Sequence, residues 1–246
     1  MSDPSNISVD PTRFILINPS HPGNVGAAAR AMKVMGFSDL VLVAPRFDDV
    51  LAQADAQAMA SGATDVLARA RLVPTLNDAL DGITLACATA MTPRDFGPPV
   101  RAPRELFAEL ASSTHRIAFV FGSERFGMRN DDVYRCHVCL SIPTLPAYGS
   151  LNLAQAVQLL AYDWRQALGG FAVQPRTVAP WRADAAAISG LLDHWRRTLI
   201  DISFLDPDVP RKLMPRLQQL VNRAHLGVDE VQILRGIARA VDKARR

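Results

Sequence analysis

The most constraining feature of this chain is a set of short, unbroken apolar runs separated by helix-like segments. Strands that are buried on both faces have this composition, because helices cover both sides of a parallel sheet. Four runs show the pattern clearly, and two shorter segments show it more weakly. The clear runs are Phe14–Ile17, Leu40–Val43, Ile83–Cys87 and Ile117–Phe121, and the shorter ones are Arg71–Val73 and Val138–Ile142.

Helical patterns occupy the intervals between these runs. Ala27–Met35 is rich in alanine, a strong helix former, and Gly36 follows it as a helix-stopping residue. Ala52–Met59 and Leu106–Leu110 are further helix candidates. This alternation of strand and helix predicts an α/β fold with a parallel sheet and right-handed connections.

The pattern changes after the last strand candidate. Asn152–Leu168 has apolar residues three and four apart, which predicts a long amphipathic helix. Gly169–Pro180 contains two glycines and two prolines and is typical of a linker. Three helices and no strand are expected after it, at Ala183–Ile202, Arg211–Ala224 and Asp229–Ala244, with Asp229 as an N-cap. We therefore expect a domain over residues 1–168, a linker over 169–182 and a helical region over 183–246.

Composition narrows the class of protein. The 246-residue chain has 49% hydrophobic residues but no apolar run of about 18, so a membrane span is not expected. The polar N-terminus carries no secretory signal, and three cysteines fit a reducing compartment, so we expect a globular cytoplasmic protein. From Pro180 onward there are 12 Lys/Arg against 8 Asp/Glu. This excess indicates either a polyanionic partner or a solvated helical face.

The first loop that follows a strand runs from Asn18 to Gly26. A glycine-bearing turn before a helix offers free backbone N–H groups to an anion. It is not a dinucleotide-binding turn, because His21 stands where the first glycine is required, and no Gly-Lys-Ser/Thr follows. Arg30 is expected one turn into the helix, either near the mouth of this loop or in a surface ion pair.

Three further loops follow strand candidates. In Phe121–Met128, glycines flank Glu124 and Arg125, which indicates either a ligand-binding turn or a tight turn with its charges in water. Ile142–Ala154 enters the long helix, where Ser150 or Asn152 is expected to act as the cap. Thr89–Arg94 places another cation at the same edge of the sheet.

Metal and hydrolase chemistry have little support. Cys136 and Cys139 have the C-x-x-C spacing, but the sequence has no second pair of metal ligands. We therefore expect buried free thiols and no bound metal. The histidines show neither H-E-x-x-H spacing nor a partner set for a catalytic triad. A nucleotide-dependent oxidoreductase is also disfavoured, because Ala44-Pro45-Arg46 stands where an acidic residue should end the second strand.

Taken together, the loops resemble a known family. Asn18–Phe37, Phe119–Met128 and Ile142–Ala154 are similar, in order and spacing, to the three motifs of the SPOUT superfamily of RNA methyltransferases. Within it the chain most resembles the TrmJ-type tRNA (cytidine/uridine) ribose 2′-O-methyltransferases, and Ile233–Ile237 with the helical region before it fits that type. The resemblance covers the chain from about Arg13 to its end.

The resemblance implies a specific fold and site. The α/β domain would be a deep trefoil knot that binds S-adenosylmethionine, and two copies would pair as a homodimer whose sites share residues. The matching cofactor positions are Thr89, Ala90, Met91, Gly122, Ile142, Gly149, Ser150 and Leu151. The matching catalytic positions are Arg30, Ser150 and Asn152, and those for the substrate RNA are Arg94, Arg125 and Arg129. Gly149, Ser123 and Thr92 depart from residues that are common in the family.

The implied reaction is methylation of a ribose 2′-hydroxyl in tRNA, at the pyrimidine nucleotide of position 32 in the anticodon loop. Two alternatives stay open at this point. One is a relative that acts on another tRNA position or on rRNA, and the other is a non-catalytic RNA-binding protein. Neither a metal nor a membrane is expected as a partner.

Overall fold

We analysed a computed structural model of the chain, which describes residues 10–90, 94–173, 181–209 and 211–244. The chain divides into two compact units, Met1–Ala172 and Val173–Arg246. Of the helices that are described, none combines the length and the apolar character needed to cross a bilayer.

The first unit is built on a seven-stranded sheet in which every described pair of strands is parallel. The spatial order is β3-β2-β1-β6-β4-β7-β5. This confirms the α/β fold with a parallel sheet. The strands are β1 (Asp10–Ile17), β2 (Phe37–Val43), β3 (Arg71–Val73), β4 (Leu85–Thr89), β5 (Val100–Arg101), β6 (Ile117–Phe121) and β7 (Val138–Leu140).

Helices cover both faces of the sheet. One face packs against α1, α2, α3, α5 and α7 through an aromatic core that includes Phe14, Phe107, Phe119 and Trp164. The other face packs against the short helices α4 and α6. The helices are α1 (Pro22–Val34), α2 (Ala54–Ala60), α3 (Thr64–Arg69), α4 (Leu76–Ala79), α5 (Pro103–Leu110), α6 (Asn130–Tyr134) and α7 (Leu153–Ala167), and a 3₁₀ turn spans Ser61–Ala63.

Several boundaries differ from the sequence-based expectation. Helix α1 begins at Pro22, five residues earlier than predicted, because proline has no N–H to lose and its fixed φ suits the first helical position. Ile83 lies in a turn, where its N–H donates to the Leu80 carbonyl, so β4 begins only at Leu85. Strand β7 ends at Leu140 instead of Ile142. The two-residue strand β5 was not predicted, because it is too short to show a pattern.

The second unit contains three described helices, α8 (Ala185–Asp201), α9 (Leu213–Ala224) and α10 (Val228–Ala244). The Asp184 carboxylate caps α8 by accepting from the Ala187 N–H at 2.7 Å. Helices α8 and α10 are joined through Asp242, whose Oδ1 accepts from Thr198 Oγ1 at 2.7 Å and whose Oδ2 lies 3.0 Å from His194 Nε2. Asp229 is not an N-cap as predicted, because α10 begins one residue before it.

Helix α1 can approach α2 closely because it carries a glycine at the contact. A Cβ built on Gly26 would lie 2.0 Å from the Ala56 carbonyl oxygen, which is backbone and cannot rotate away. Gly26 is itself buried. This contact holds in place the helix that follows β1.

We expect Gly26→Ala to lower the free energy of unfolding by about 1–3 kcal/mol, the usual cost of overpacking. Alanine has a higher helix propensity than glycine, so any loss of stability must come from the clash with Ala56. Urea unfolding followed by circular dichroism measures the effect. Gly62→Ala is the matched control, since a Cβ there meets nothing within 4 Å. Equal stability of the two variants would contradict the prediction.

Candidate active site

The carboxyl ends of four neighbouring strands meet at one edge of the sheet. Strands β1, β6, β4 and β7 lie side by side and run parallel, so the loops that follow them are adjacent. In open α/β sheets, ligands bind outside this edge.

A cavity of about 320 Å³, which we call the first cavity, lies among three of these loops. Its lining includes the buried apolar side chains of Phe121, Leu140 and Leu153. Of the predicted cofactor residues, the described ones all line it: Thr89, Ala90, Gly122, Ile142, Gly149, Ser150 and Leu151. Met91 lies outside the described residues. A cavity of this size, lined by apolar side chains and by the polar backbone of loops, is typical of small-molecule sites.

Two glycines shape the wall of the first cavity. A Cβ on Gly122 would lie 2.1 Å from the Gly127 carbonyl carbon, so no other residue fits there without moving backbone. Gly127 has a φ of +66°, which favours glycine. Backbone hydrogen bonds in both directions between Ser123 and Gly127 close the turn. Gly122 therefore allows this turn to pack closely against its own backbone.

The carboxylate of Glu124, in the same turn, occupies the N-terminus of α1. Its Oε2 accepts from the Ser20 N–H at 2.9 Å and from Ser20 Oγ at 2.8 Å. Its Oε1 accepts from Asn24 Nδ2 at 3.0 Å and from the His21 N–H at 3.3 Å. The expectation that this helix end is free to bind an external anion is therefore wrong. The protein supplies the anion itself, 100 residues along the chain from Asn24.

Asn24 also reaches the third loop. Its Oδ1 accepts a 3.0 Å hydrogen bond from Asn152 Nδ2. Asn152 caps α7 with its own Oδ1, which accepts from the Ala154 N–H at 2.9 Å, so Asn152 and not Ser150 is the cap. Asn24 thus joins the loops after β1, β6 and β7 in one hydrogen-bonded network.

The network changes the acidity of Glu124. Partial burial by itself would raise the pKa of this carboxyl, but the hydrogen bonds from Asn24 and Ser20 outweigh it and hold the pKa below the ordinary value of 4.5. Glu124 is therefore ionised at neutral pH, as an acceptor of four hydrogen bonds should be.

The predicted arginines take up different positions. Arg30 lies about two turns inside α1, not one, because the helix begins at Pro22. Its side chain is exposed and lines neither the first cavity nor a second cavity of about 830 Å³ at the same edge of the sheet, so neither cavity brings Arg30 together with Ser150. Arg94 lines the first cavity, Arg125 lines both cavities and Arg129 lines the second.

The cysteines are buried free thiols, as predicted. Burial raises the pKa of Cys87 and of Cys136 to about 12, so neither is a reactive thiolate at neutral pH. Within the described part of the chain, no group of three or more His, Cys, Asp or Glu side chains is placed to hold a metal ion.

Three residues of this edge were not among the predicted site residues: Asn24 and Glu124, which belong to the network, and Arg46, which lines the second cavity. Glu124 offered one clue, since a charged residue between two glycines lies in a constrained turn. Nothing local to Asn24 or Arg46 distinguishes them from ordinary loop residues.

Family comparisons agree with this architecture. Residues 11–162 match the family described as SpoU rRNA Methylase family, and residues 186–246 match the family described as tRNA methyltransferase TrmJ, C-terminal domain.

Two individual relatives cover nearly the whole chain, and a third covers about two thirds of it. The tRNA (cytidine/uridine/adenosine-2′-O-)-methyltransferase TrmJ of Pseudomonas aeruginosa is 41% identical, over 97% of this chain and 96% of the relative. The crystal structure of TrmJ from Z. mobilis ZM4 is 30% identical, covers 94% of this chain and 98% of its own, and has a TM-score of 0.80. A probable methyltransferase from Bordetella pertussis Tohama I is 49% identical over 65% of this chain and 97% of its own, with a TM-score of 0.60.

We expect Glu124→Gln to destabilise the protein by about 1–3 kcal/mol at pH 7. The amide has no negative charge, and its NH₂ group would face the N–H and O–H donors that now bond to the carboxylate. The folded pKa is depressed, so the carboxylate stabilises the fold above the unfolded pKa and loses this effect as pH falls through the folded value. The difference between wild type and variant should therefore shrink below about pH 4.5. Urea unfolding at pH 7 and at lower pH measures it.

Glu105→Gln, at an exposed carboxylate in the first turn of α5, is the matched control and should cost no more than about 0.3–1 kcal/mol, the effect of one charge near a helix N-terminus. A Glu124→Gln variant as stable as this control at pH 7 would show that the carboxylate does not hold the loops together.

Proposed function

Because this chain belongs to the SpoU rRNA Methylase family and carries a TrmJ C-terminal domain, we propose that it methylates a ribose 2′-hydroxyl of cytidine or uridine in tRNA. Relatives that are 37–41% identical over nearly their full length are named for this activity. The single observation that carries the proposal is that the second and third motif loops line one cavity with the loop after β4, while Glu124 and Asn152 bond the first motif loop to them through Asn24.

The first cavity fits S-adenosylmethionine as the methyl donor. Apolar side chains such as Leu140 and Leu153 suit a purine ring, and the exposed backbone of the glycine loops suits ribose hydroxyls and a carboxylate. The residues that would hold the donor are Thr89, Ala90, Met91, Gly122, Ile142, Gly149, Ser150 and Leu151. When bound, the donor supplies an electrophilic methyl group on a sulfonium sulfur.

The chain has to help the 2′-hydroxyl become a nucleophile. As the ribose oxygen takes up the methyl group, its proton would pass to water or to a phosphate oxygen, and the negative charge that develops on the oxygen would need a hydrogen-bond donor. A guanidinium keeps its proton at neutral pH, so Arg30 acts as a hydrogen-bond donor that orients the hydroxyl or the adjacent phosphate and stabilises negative charge on oxygen. Ser150 contacts the reacting groups from the cavity wall, and Asn152 positions the loop that carries Ser150.

A homodimer supplies Arg30 to this site. In one copy Arg30 is exposed on α1 and lines neither cavity, whereas Ser150 lines the first. The proposed dimer resolves this separation, because each site takes Arg30 from the other copy. Two-fold pairing is the commonest symmetry of soluble oligomers.

The first unit is also proposed to be a trefoil knot. The chain leaves β7, which lies between β4 and β5, and then returns to α1, where Asn152 bonds to Asn24. These two residues are 128 positions apart. A crystal structure of the whole chain tests the threading, and an unthreaded backbone would contradict it.

The RNA contacts are proposed at Arg94, Arg125 and Arg129 and on the basic second unit, which has 13 Lys/Arg against 8 Asp/Glu, whereas the first unit is net acidic. Position 32 of the anticodon loop is the proposed target. A cytoplasmic location is proposed as well, because the substrate would be tRNA. Another tRNA position or rRNA is the alternative target.

The decisive experiment measures transfer of a labelled methyl group from S-adenosylmethionine to unmodified tRNA by the purified protein. Ribose-methylation mapping then locates the product, and cytidine, uridine and adenosine variants of the target are compared, because the Pseudomonas relative is named for all three nucleosides. Absence of transfer to any tRNA or rRNA, with RNA binding intact, would show a non-catalytic relative.

We expect Arg30→Ala to keep binding S-adenosylmethionine and to lose methyl transfer by about 10²-fold or more, the scale of removing one donor to a developing oxyanion. Calorimetry with S-adenosylmethionine and single-turnover kinetics with tRNA separate the two effects. Arg69→Ala, at a surface arginine paired with Asp65, is the control and should stay active. Full activity of Arg30→Ala would defeat the assignment.

Subunit mixing tests the sharing of the site. We expect Arg30→Ala and Ser150→Ala to be inactive alone. When they exchange subunits, half of the dimers carry one intact site, so the mixture should recover about a quarter of wild-type activity. Failure to recover activity, despite demonstrated exchange, would place both residues in the site of one copy.

Binding of tRNA should weaken steeply as salt rises, because cationic side chains release counterions from phosphates when they bind. Titration of labelled tRNA at several salt concentrations, in the presence of S-adenosylmethionine, measures the slope. A flat response would show that phosphate contacts do not dominate the interaction.

A further inference from the structure

A second cavity of about 830 Å³ opens at the same edge of the sheet. It shares the Ser123–Gly127 turn with the first cavity, so the two lie on either side of one turn. A ligand in the second cavity is therefore a direct neighbour of whatever reacts in the first.

The charges that the second cavity leaves uncompensated are guanidinium groups. Arg46, Arg125 and Arg129 line it, with Glu124 and Asp132 as the lining carboxylates. Glu124 is already engaged by the N-terminus of α1. Among the residues that the structure describes, none of the three arginines forms an ion pair. The cavity thus attracts an anion, and several guanidinium groups suit a phosphate.

Aromatic rings stand beside two of these arginines. Phe126, at the tip of the shared turn, is 77% exposed, and the Arg125 guanidinium carbon lies 5.1 Å from its ring centre. The Arg46 guanidinium carbon lies 5.2 Å from the centre of the Phe47 ring. A phenylalanine as exposed as Phe126 adds little to the core of the fold. Paired with a cation, such a ring is a platform on which a nucleobase can stack.

The backbone that carries Arg46 is held in place before any ligand binds. The Arg46 N–H donates to the Pro19 carbonyl at 3.1 Å, which ties the loop after β2 to the loop after β1. Asn18 Nδ2 donates to the Ala44 carbonyl at 2.8 Å, and both Asn18 and Ala44 have positive φ. Such strained, cross-linked backbone is typical of functional loops.

We propose that the second cavity binds the nucleotide next to the methylated one, with its phosphate on Arg46 and Arg129 and its base stacked on Phe126. The proposal rests on the function proposed above and names the part of the surface that selects single-stranded RNA. A base in a duplex is already stacked and paired, so only an unpaired base can use the ring of Phe126. The cavity therefore favours a loop over a helix as substrate.

Three variants of Phe126 test the stacking. We expect Phe126→Ala and Phe126→Leu to weaken binding of a short single-stranded RNA roughly 10- to 100-fold, and Phe126→Trp to bind as well as wild type. Leucine keeps an apolar side chain but has no aromatic face, so it separates stacking from simple burial. Equal binding by all three variants would overturn the assignment of Phe126.

Arg46 is tested by the salt dependence. Arg46→Ala should raise the KM for tRNA with little effect on kcat, and should reduce the slope of log affinity against log salt by about 1. Arg46→Lys should recover the slope, because lysine also neutralises a phosphate. Arg69→Ala serves again as the surface control. An Arg46→Ala variant with the wild-type slope would overturn the phosphate assignment.

Readouts other than methylation keep this proposal distinct from the proposed function. Calorimetry should show unchanged S-adenosylmethionine binding, and the midpoint of urea unfolding should be unchanged, since Phe126 is exposed.

If wild type binds single-stranded RNA through Phe126 and Arg46 but methylates nothing, the proposed function fails and the cavity assignment stands. If wild type methylates tRNA and these variants match it, the cavity assignment fails. A change in oligomeric state in the variants would show that a second copy fills the cavity, and would also overturn it.

Discussion

The site depends on one carboxylate. Glu124 lies at the N-terminus of α1, where four hydrogen bonds and the partial positive charge of the helix end compensate its charge. Through Asn24 the same network reaches Asn152 at the start of α7. Loops that would otherwise move independently are thereby held at one edge of the sheet. Glu124 lines both cavities, so this hydrogen-bond network fixes part of the wall of each.

The sheet and the glycines provide the space around that network. Parallel order places the loops after β1, β6, β4 and β7 next to one another. Gly122 lets the Ser123–Gly127 turn fold back onto its own backbone, and that turn separates the two cavities. The first cavity is the smaller of the two and is lined in part by buried apolar side chains, whereas the second is larger and is lined by three arginines. These two linings agree with the proposal of a small methyl donor beside an RNA strand.

Much of the fold could be predicted from local patterns. The clear apolar runs located β6 fully and parts of β1, β2 and β4, because a strand buried on both faces has few polar residues. The two shorter segments located β3, with matching bounds, and β7, which ends two residues before its segment does. Helices α7, α8, α9 and α10 followed from their apolar spacing. Short elements such as β5, α4 and α6 carry too few residues for a period to show. The start of α1 was misplaced because Pro22 was taken for a loop residue, although proline suits a first helical turn.

The sequence by itself determined most strands and helices, the loops that follow them, and the residues that fit a methyltransferase family. All three depend only on neighbouring residues and on the spacing of motifs. Only the tertiary structure decided that Glu124 fills the end of α1, that Asn24 meets Asn152, and that Arg46 and Phe126 border a cavity next to the first. The physical reason is distance along the chain. Hydrogen bonds between residues 100 or more positions apart are set by the order of strands in the sheet, which no local pattern specifies.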